Sequence, residues 1–321
     1  MSDLYTPISI ESIDPALFPD VALYLKSGTN YVLYKSHGRD FSSVDAERLA
    51  RGNVEFLHVQ PSDMELITTY MESNAERFLK SDQHDNKAKG KMIYQTSINY
   101  VGDIFANPDK VGDLERSKRL IENLLLFMAD NGEALASLES VMAHNYHTFV
   151  HSLQVTALSI MLHSSIYTVS RDEILDVGIG TLLHDIGKIF IPQEILNQTG
   201  KLTPAETALF KRHPEEGYRY LKEQASLSEV SLAIVRSHHE RNNGNGYPQG
   251  LRSEQIPRSA QVAAVCDVYC TLTIDRTGKK CTPASLALQL MKQEMKGAFN
   301  ERVLNGLEEL MGEEAGGPPL L

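Results

Sequence analysis

Tryptophan is absent from the 321 residues, and cysteine is scarce, with three copies. Cys266, Cys270 and Cys281 are odd in number and form no CxxC pair, which excludes a disulfide framework and reads as reduced thiols. No apolar run approaches the roughly 20 residues of a membrane span. The opening, "MSDLYTPISIESIDPALFPD", lacks a basic segment followed by an apolar one, so no secretory signal is read and the expected location is the cytoplasm. An excess of positive charge is also missing. A net charge of -11 argues against a duplex nucleic-acid partner, whose binding rests on clustered Lys and Arg. A small phosphorylated ligand in a local pocket stays compatible with that balance. What remains is ordinary globular material, 42% hydrophobic and 23% charged, and long enough for two domains.

Residues 21–35, "VALYLKSGTNYVLYK", alternate around Gly28-Thr29-Asn30 and predict a β-hairpin. A polar helix around "SSVDAERLA", a strand "EFLHVQ" and a helix from "SDMELITTYM", with Ser62 as its N-cap, complete a small α+β module over residues 1–80. The polar run "SDQHDNKAKGK" at 81–91 is the expected hinge, opening a helical linker that reaches residue 137. Beyond it, apolar residues recur at helical spacing through a helical body over 138–311, and 312–321 read as a loose tail. The expected fold class is therefore mainly α, an all-helical bundle preceded by a smaller α+β module.

Eight of the eleven histidines lie in the helical part. Singly, each admits a structural reading: His184 could be satisfied by Asp185, His213 before Pro could cap a helix, and His144 and His163 show no partner. Together they suggest more. His147 and His151 lie one turn apart, His184-Asp185 ends another helix, and His213, His238-His239 and Asp267 come from later helices. Imidazole and carboxylate donors without thiolates suit a borderline divalent ion. A carboxylate can bridge two such ions roughly 3.5–4 Å apart, and Asp185 is the candidate bridge. Adjacent side chains such as His238 and His239 point in different directions, so one centre can use both only from an irregular backbone or across a large shared target.

"HDIGK" at 184–188, "HHERNNGNGYP" at 238–248 and "CDVYCTLTIDRTGKK" from 266 resemble the motifs of the HD-GYP family, metal-dependent phosphohydrolases that hydrolyse cyclic di-GMP. The similarity runs over roughly 138–311. The N-terminal module is also similar to a domain that often precedes such units. The resemblance implies one ion on His151, His184, Asp185 and Asp267 and another on Asp185, His213, His238 and His239, with a bridging hydroxide opening the ring to pGpG or GMP. Iron is implied by the family, and the donor set admits manganese equally. Lys188, one turn after His184, is expected to reach a phosphate oxygen, with Asp185 and Lys188 as the catalytic pair. Arg276 and Lys279 match phosphate contacts, and Tyr247 is placed to stack on guanine or hydrogen-bond to substrate. Gly244 and Gly246 are expected to give the loop conformations closed to other residues, with Pro248 stiffening it.

Four positions depart from the family's pattern. His147 stands where a Glu serving a third metal is usual, which favours two ions. Asn243 replaces an Asp, Cys270 a carboxylate, and Thr277-Gly278 a Pro-Tyr pair. Intact metal ligands favour an active phosphodiesterase. The altered ligand-facing positions favour an alternative, a metal-containing but weak enzyme that binds nucleotide, or a protein partner through the GYP loop or the N-terminal module, and transmits a signal.

Overall fold

A computed structural model of the chain describes residues 5–129, 134, 138, 148–198, 200–273 and 281–313. It divides after Tyr100 into two compact units. In the first, β1 (Thr6–Ser9), β2 (Leu23–Ser27), β3 (Asn30–Lys35) and β4 (Phe56–Val59) form an antiparallel sheet in the order β1-β4-β2-β3. The expected hairpin is β2–β3, turned at Gly28 with φ 62°. Two helices follow, α1 (Ser43–Arg51) and α2 (Met64–Leu79). Ile8, Leu23, Leu57 and Val59 from the sheet share one core with Leu49, Ile67 and Met71 from these helices. Ser62 is not the N-cap of α2. It lies inside a 3-10 turn, Pro61–Asp63, and Asp63 takes the cap position without a side-chain capping bond. The expected hinge also differs, because α3 (Asn86–Ala106) starts within it and Ala88 and Met92 belong to the same core. Apolar residues spaced along this helix keep the first unit intact past residue 80.

The start of α1 holds a buried charge. Asp45 and Ser42 form a reciprocal capping box, and the Asp45 carboxylate also accepts from Arg39 and Tyr34. Burial alone would raise its pKa, but the bonds from Ser42, Arg39 and Tyr34 outweigh burial and bring it down to about 2. A carboxyl depressed in the folded state stabilises above its unfolded pKa, and that stabilisation is lost as pH falls through the folded value. The expected loss is about 2 kcal/mol between roughly pH 5 and pH 2. Urea midpoints of wild type and Asp45→Asn should therefore differ at pH 7 and converge near pH 2. A gap that persists at pH 2 would contradict this assignment.

The second unit is helical: α4 (Leu114–Ala129), α5 (Thr148–Ile166), α6 (Arg171–Leu182), α7 (Gln193–Leu196), α8 (Pro204–Phe210), α9 (His213–Gln224), α10 (Glu229–Ser237), α11 (Arg258–Thr273), α12 (Ala284–Gln293) and α13 (Glu301–Glu313). Ser170, Thr203 and Ser228 cap α6, α8 and α10 through their hydroxyls, fixing where each begins. Helix α11 is buried on all sides from Ser259 to Cys266, as expected of a central helix. It packs on α5 and α10, α6 packs on α5 and α10, and α9 packs on α10. The ends of these helices carry the histidines.

Candidate metal centre

The motif "HDIGK" does not continue α6. The helix ends at Leu182, His184 and Asp185 lie in the irregular turn that follows, and residues 186–190 form a 3-10 turn. Lys188 is therefore not on a helical face shared with His184. It stands three residues after Asp185 and its ammonium binds that carboxylate directly.

Three histidines are anchored in the same way. The carbonyls of Thr181, Phe210 and Val235 each accept from the Nδ1 of the histidine three residues on, His184 at 2.7 Å, His213 at 2.8 Å and His238 at 2.9 Å. A carbonyl can only accept, so Nδ1 carries the proton and Nε2 keeps its lone pair. All three rings are buried. His213 Nε2 and His238 Nε2 face each other at 3.4 Å, and His184 Nε2, also buried, has no hydrogen-bond partner. Converging lone pairs in a dry site are the arrangement a cation relieves.

Two carboxylates tie the rings together. Asp185 turns Oδ2 toward His184 Nε2 at 3.3 Å and Oδ1 toward His213 Nε2 at 3.4 Å. Asp267, from the buried face of α11, receives His151 Nε2 on Oδ1 at 3.0 Å and faces His239 Nδ1 with Oδ2 at 3.6 Å. The donors form two groups, His213, His238 and His239, and His151, His184 and Asp185, each with its ligand atoms within 4.8 Å of one another. Both aspartates span the two groups. The sequence pointed to Asp185 alone as the bridge.

Electrostatics prepares these residues as ligands. Burial lowers His213 to about 4 and His239 to about 3, outweighing Asp185 and Asp267. Burial and the neighbouring imidazole of His239 hold His238 well below its ordinary value. At neutral pH these three rings are neutral donors. Burial would raise both carboxyls, but Lys188 and His184 outweigh it at Asp185, and the His151 bond and His239 do so at Asp267, so both stay well below the usual range. Burial would lower His184 as well, but Asp185 outweighs it and raises this ring, and His151 donates its Nε2 proton to Asp267, so a cation would displace a proton at each of these two. By donor type the residues present fit a pair of divalent cations.

His238 is the C-cap residue of α10, and His239 follows it outside the helix. The adjacent pair is presented by a helix end, which lets both rings enter one group. The loop behind it is pinned by Glu240, a residue the sequence did not single out. Its buried carboxylate accepts from Gln249 N at 2.7 Å and Leu251 N at 2.9 Å. Gly244 has φ 79°, as expected of a turn closed to other residues. Gly246 is needed for a different reason, since a Cβ there would lie 2.4 Å from Arg241 N and 2.5 Å from Glu240 Cα. Tyr247 comes out of this loop with its ring 4.7 Å from that of His239, followed by a cis bond to Pro248. Asn243 accepts from Asn245 N at 3.0 Å, so its side chain serves the turn.

Other expectations resolve more simply. His163 is structural, buried with Nε2 2.9 Å from Glu173, whose carboxylate Arg258 also holds. Burial pushes the Cys266 thiol up to about 12, which fits a packing role. His144, His147, Arg276 and Lys279 lie outside the described residues. Among the described residues, no helix is long and apolar enough to cross a membrane.

A helical bundle whose helix ends gather imidazoles around two shared carboxylates defines a metallohydrolase-type site. The HD-domain family model matches residues 137–303. With its HD pair, HHE segment and GYP loop, the chain belongs to this family and to its HD-GYP branch. It is 36% identical over 200 residues to a cyclic di-GMP phosphodiesterase of Pseudomonas aeruginosa, covering 62% of this chain and 48% of that protein. It is 32% identical over 197 residues to a 3'3'-cGAMP-specific phosphodiesterase of Vibrio cholerae, covering 60% of this chain and 35% of that one. The chain thus spans about half or less of the length of these relatives. The solved structure of an HDG"Y"P protein from Bdellovibrio bacteriovorus matches with a TM-score of 0.71 at 21% identity, covering 96% of this chain and 99% of the other, which establishes the shared fold.

Proposed function

We propose that this chain is a metal-dependent phosphodiesterase that opens cyclic di-GMP to pGpG and continues to GMP, acting in the cytoplasm. The observation that carries the reading is a buried site in which Asp185 faces the Nε2 atoms of His184 and His213 while Asp267 faces His151 Nε2 and His239 Nδ1. Two divalent ions, iron or manganese, held by His151, His184, Asp185 and Asp267 and by Asp185, His213, His238 and His239, would supply Lewis acidity to the phosphoryl oxygens and hydroxide at neutral pH.

The chain's own residues do the rest. Asp185 and Asp267 supply the negative charge that retains cations away from water. The carbonyls of Thr181, Phe210 and Val235 keep three rings in the tautomer that offers Nε2. Lys188 leans on Asp185, and from that position its ammonium would serve a phosphate oxygen of the substrate. Burial and the nearby Asp267 raise the Tyr247 hydroxyl above its ordinary value, so it stays protonated and able to donate beside His239. Arg276 and Lys279 add phosphate contacts, and the N-terminal unit serves regulation or partner binding.

A second substrate reading is favoured by the similarity to the Vibrio cholerae protein named for 3'3'-cGAMP. Incubation of the metal-loaded chain with cyclic di-GMP, 3'3'-cGAMP and bis(4-nitrophenyl) phosphate separates the two. Faster turnover of cyclic di-GMP, lost with a chelator and restored by metal, is expected. Preference for 3'3'-cGAMP would transfer the mechanism to that substrate, and turnover of the aryl ester alone would reject both nucleotides. Metal binding without any turnover would leave the signalling role.

A further inference from the structure

Two lysines flank the candidate centre among the described residues, and they are held differently. Lys188 is paired with Asp185. Lys211 is exposed, pairs with no carboxylate among the described residues, and holds its ammonium 5.2 Å from the centroid of the Tyr247 ring. Its backbone is fixed close to the cluster. Lys211 N donates to Thr207 O at 3.0 Å at the end of α8, and the carbonyl of the preceding Phe210 accepts from His213 Nδ1 at 2.8 Å. An uncompensated cation therefore stands two residues from one imidazole of the cluster, over a ring that lies 4.7 Å from another.

An exposed ammonium over a ring stabilises little, roughly 0.5–1 kcal/mol, so holding the GYP loop is a weak use of this lysine. A cyclic dinucleotide offers a stronger one. It carries two phosphodiesters, each with one negative charge, and the histidine and aspartate cluster serves only the one being cleaved. The other needs cations outside the cluster, and beside the phosphate contacts proposed for Arg276 and Lys279 the Lys211 ammonium is a suitable point charge on the Tyr247 side.

We propose that Lys211 is a specificity residue that binds the uncleaved phosphate of a cyclic dinucleotide while Tyr247 supports the adjoining nucleoside. The inference rests on the phosphodiesterase reading above and goes beyond it by assigning the second phosphate. A simple aryl diester has one phosphate and makes less use of Lys211.

The test compares kcat and KM of wild type, Lys211→Met and Lys211→Arg on cyclic di-GMP and on bis(4-nitrophenyl) phosphate, with metal content measured in each. Lys211→Met should lower kcat/KM for cyclic di-GMP about tenfold more than for the aryl ester, as expected for one charged hydrogen bond, and chiefly through KM. Lys211→Arg should recover most of that loss. Equal falls on both substrates would show a loop-propping role and overturn the proposal, as would an unchanged KM for cyclic di-GMP. Wild-type turnover of cyclic di-GMP tests the underlying reading separately. Should it be absent, calorimetric Kd values for cyclic di-GMP take the place of KM, with the same about tenfold difference expected. A wild type that neither cleaves nor binds cyclic di-GMP while hydrolysing the aryl ester overturns both.

Discussion

Replacing Asp185 by alanine is expected to abolish turnover, by at least about 10³-fold, because even an outer partner of a metal site is worth roughly 10- to 100-fold. The carboxylate touches both donor groups, through His184 on one oxygen and His213 on the other. Without it, neutral imidazoles must retain two cations with Asp267 as the remaining anion. Metal content should fall with activity, while far-UV circular dichroism stays that of wild type, since the helices around the site are packed through other residues. Asp185→Asn keeps the shape and one acceptor but not the charge, and should retain more folding stability than metal. Full metal occupancy in either variant would show that Asp185 does not bridge.

Alanine at Gly187 should be nearly as damaging by another route. A Cβ there would lie 1.9 Å from the His213 carbonyl oxygen and 2.6 Å from Gly217 N, both backbone atoms of α9. Backbone cannot swing aside as a flexible side chain can, so the turn carrying Asp185 and Lys188 must separate from the helix that begins with His213. Overpacking of this kind costs about 3 kcal/mol. For the second unit, Val101–Leu321, that lowers Tm by about 6–12 °C. Parting these two elements also separates Asp185 from His213, so metal affinity should fall as well. Gly200→Ala is the control, since its Cβ would meet nothing within 4 Å. A Gly187→Ala protein with unchanged Tm and metal content would contradict the packing described.

The residues explain which parts of this architecture the sequence could reveal. The β2–β3 hairpin was legible because its partners are adjacent and its turn holds Gly28. β1 was not, since its four residues pair with β4 some fifty positions away and carry little alternation of their own. The helices of the second unit followed from apolar spacing, and the order of His and Asp residues outlined the site. The end of α6 before His184 escaped the periodic pattern because "LLHDIGKIF" stays apolar at helical spacing through the break. That misplaced Lys188 on a helix and hid its pairing with Asp185. The anchoring of His184, His213 and His238 to the carbonyl three residues earlier is a local pattern, readable in principle once each histidine is known to close or open a helix. Glu240 was a harder case. Its two amide partners lie 9 and 11 residues ahead, in a loop whose path only the fold defines.

The most direct test of a two-metal phosphodiesterase is metal analysis of protein purified without chelators, read together with its turnover of cyclic di-GMP before and after metal removal. About two iron or manganese ions per chain are expected, with turnover that disappears on chelation and returns with added metal. Protein that holds no metal, or that hydrolyses cyclic di-GMP equally well after its removal, would contradict it.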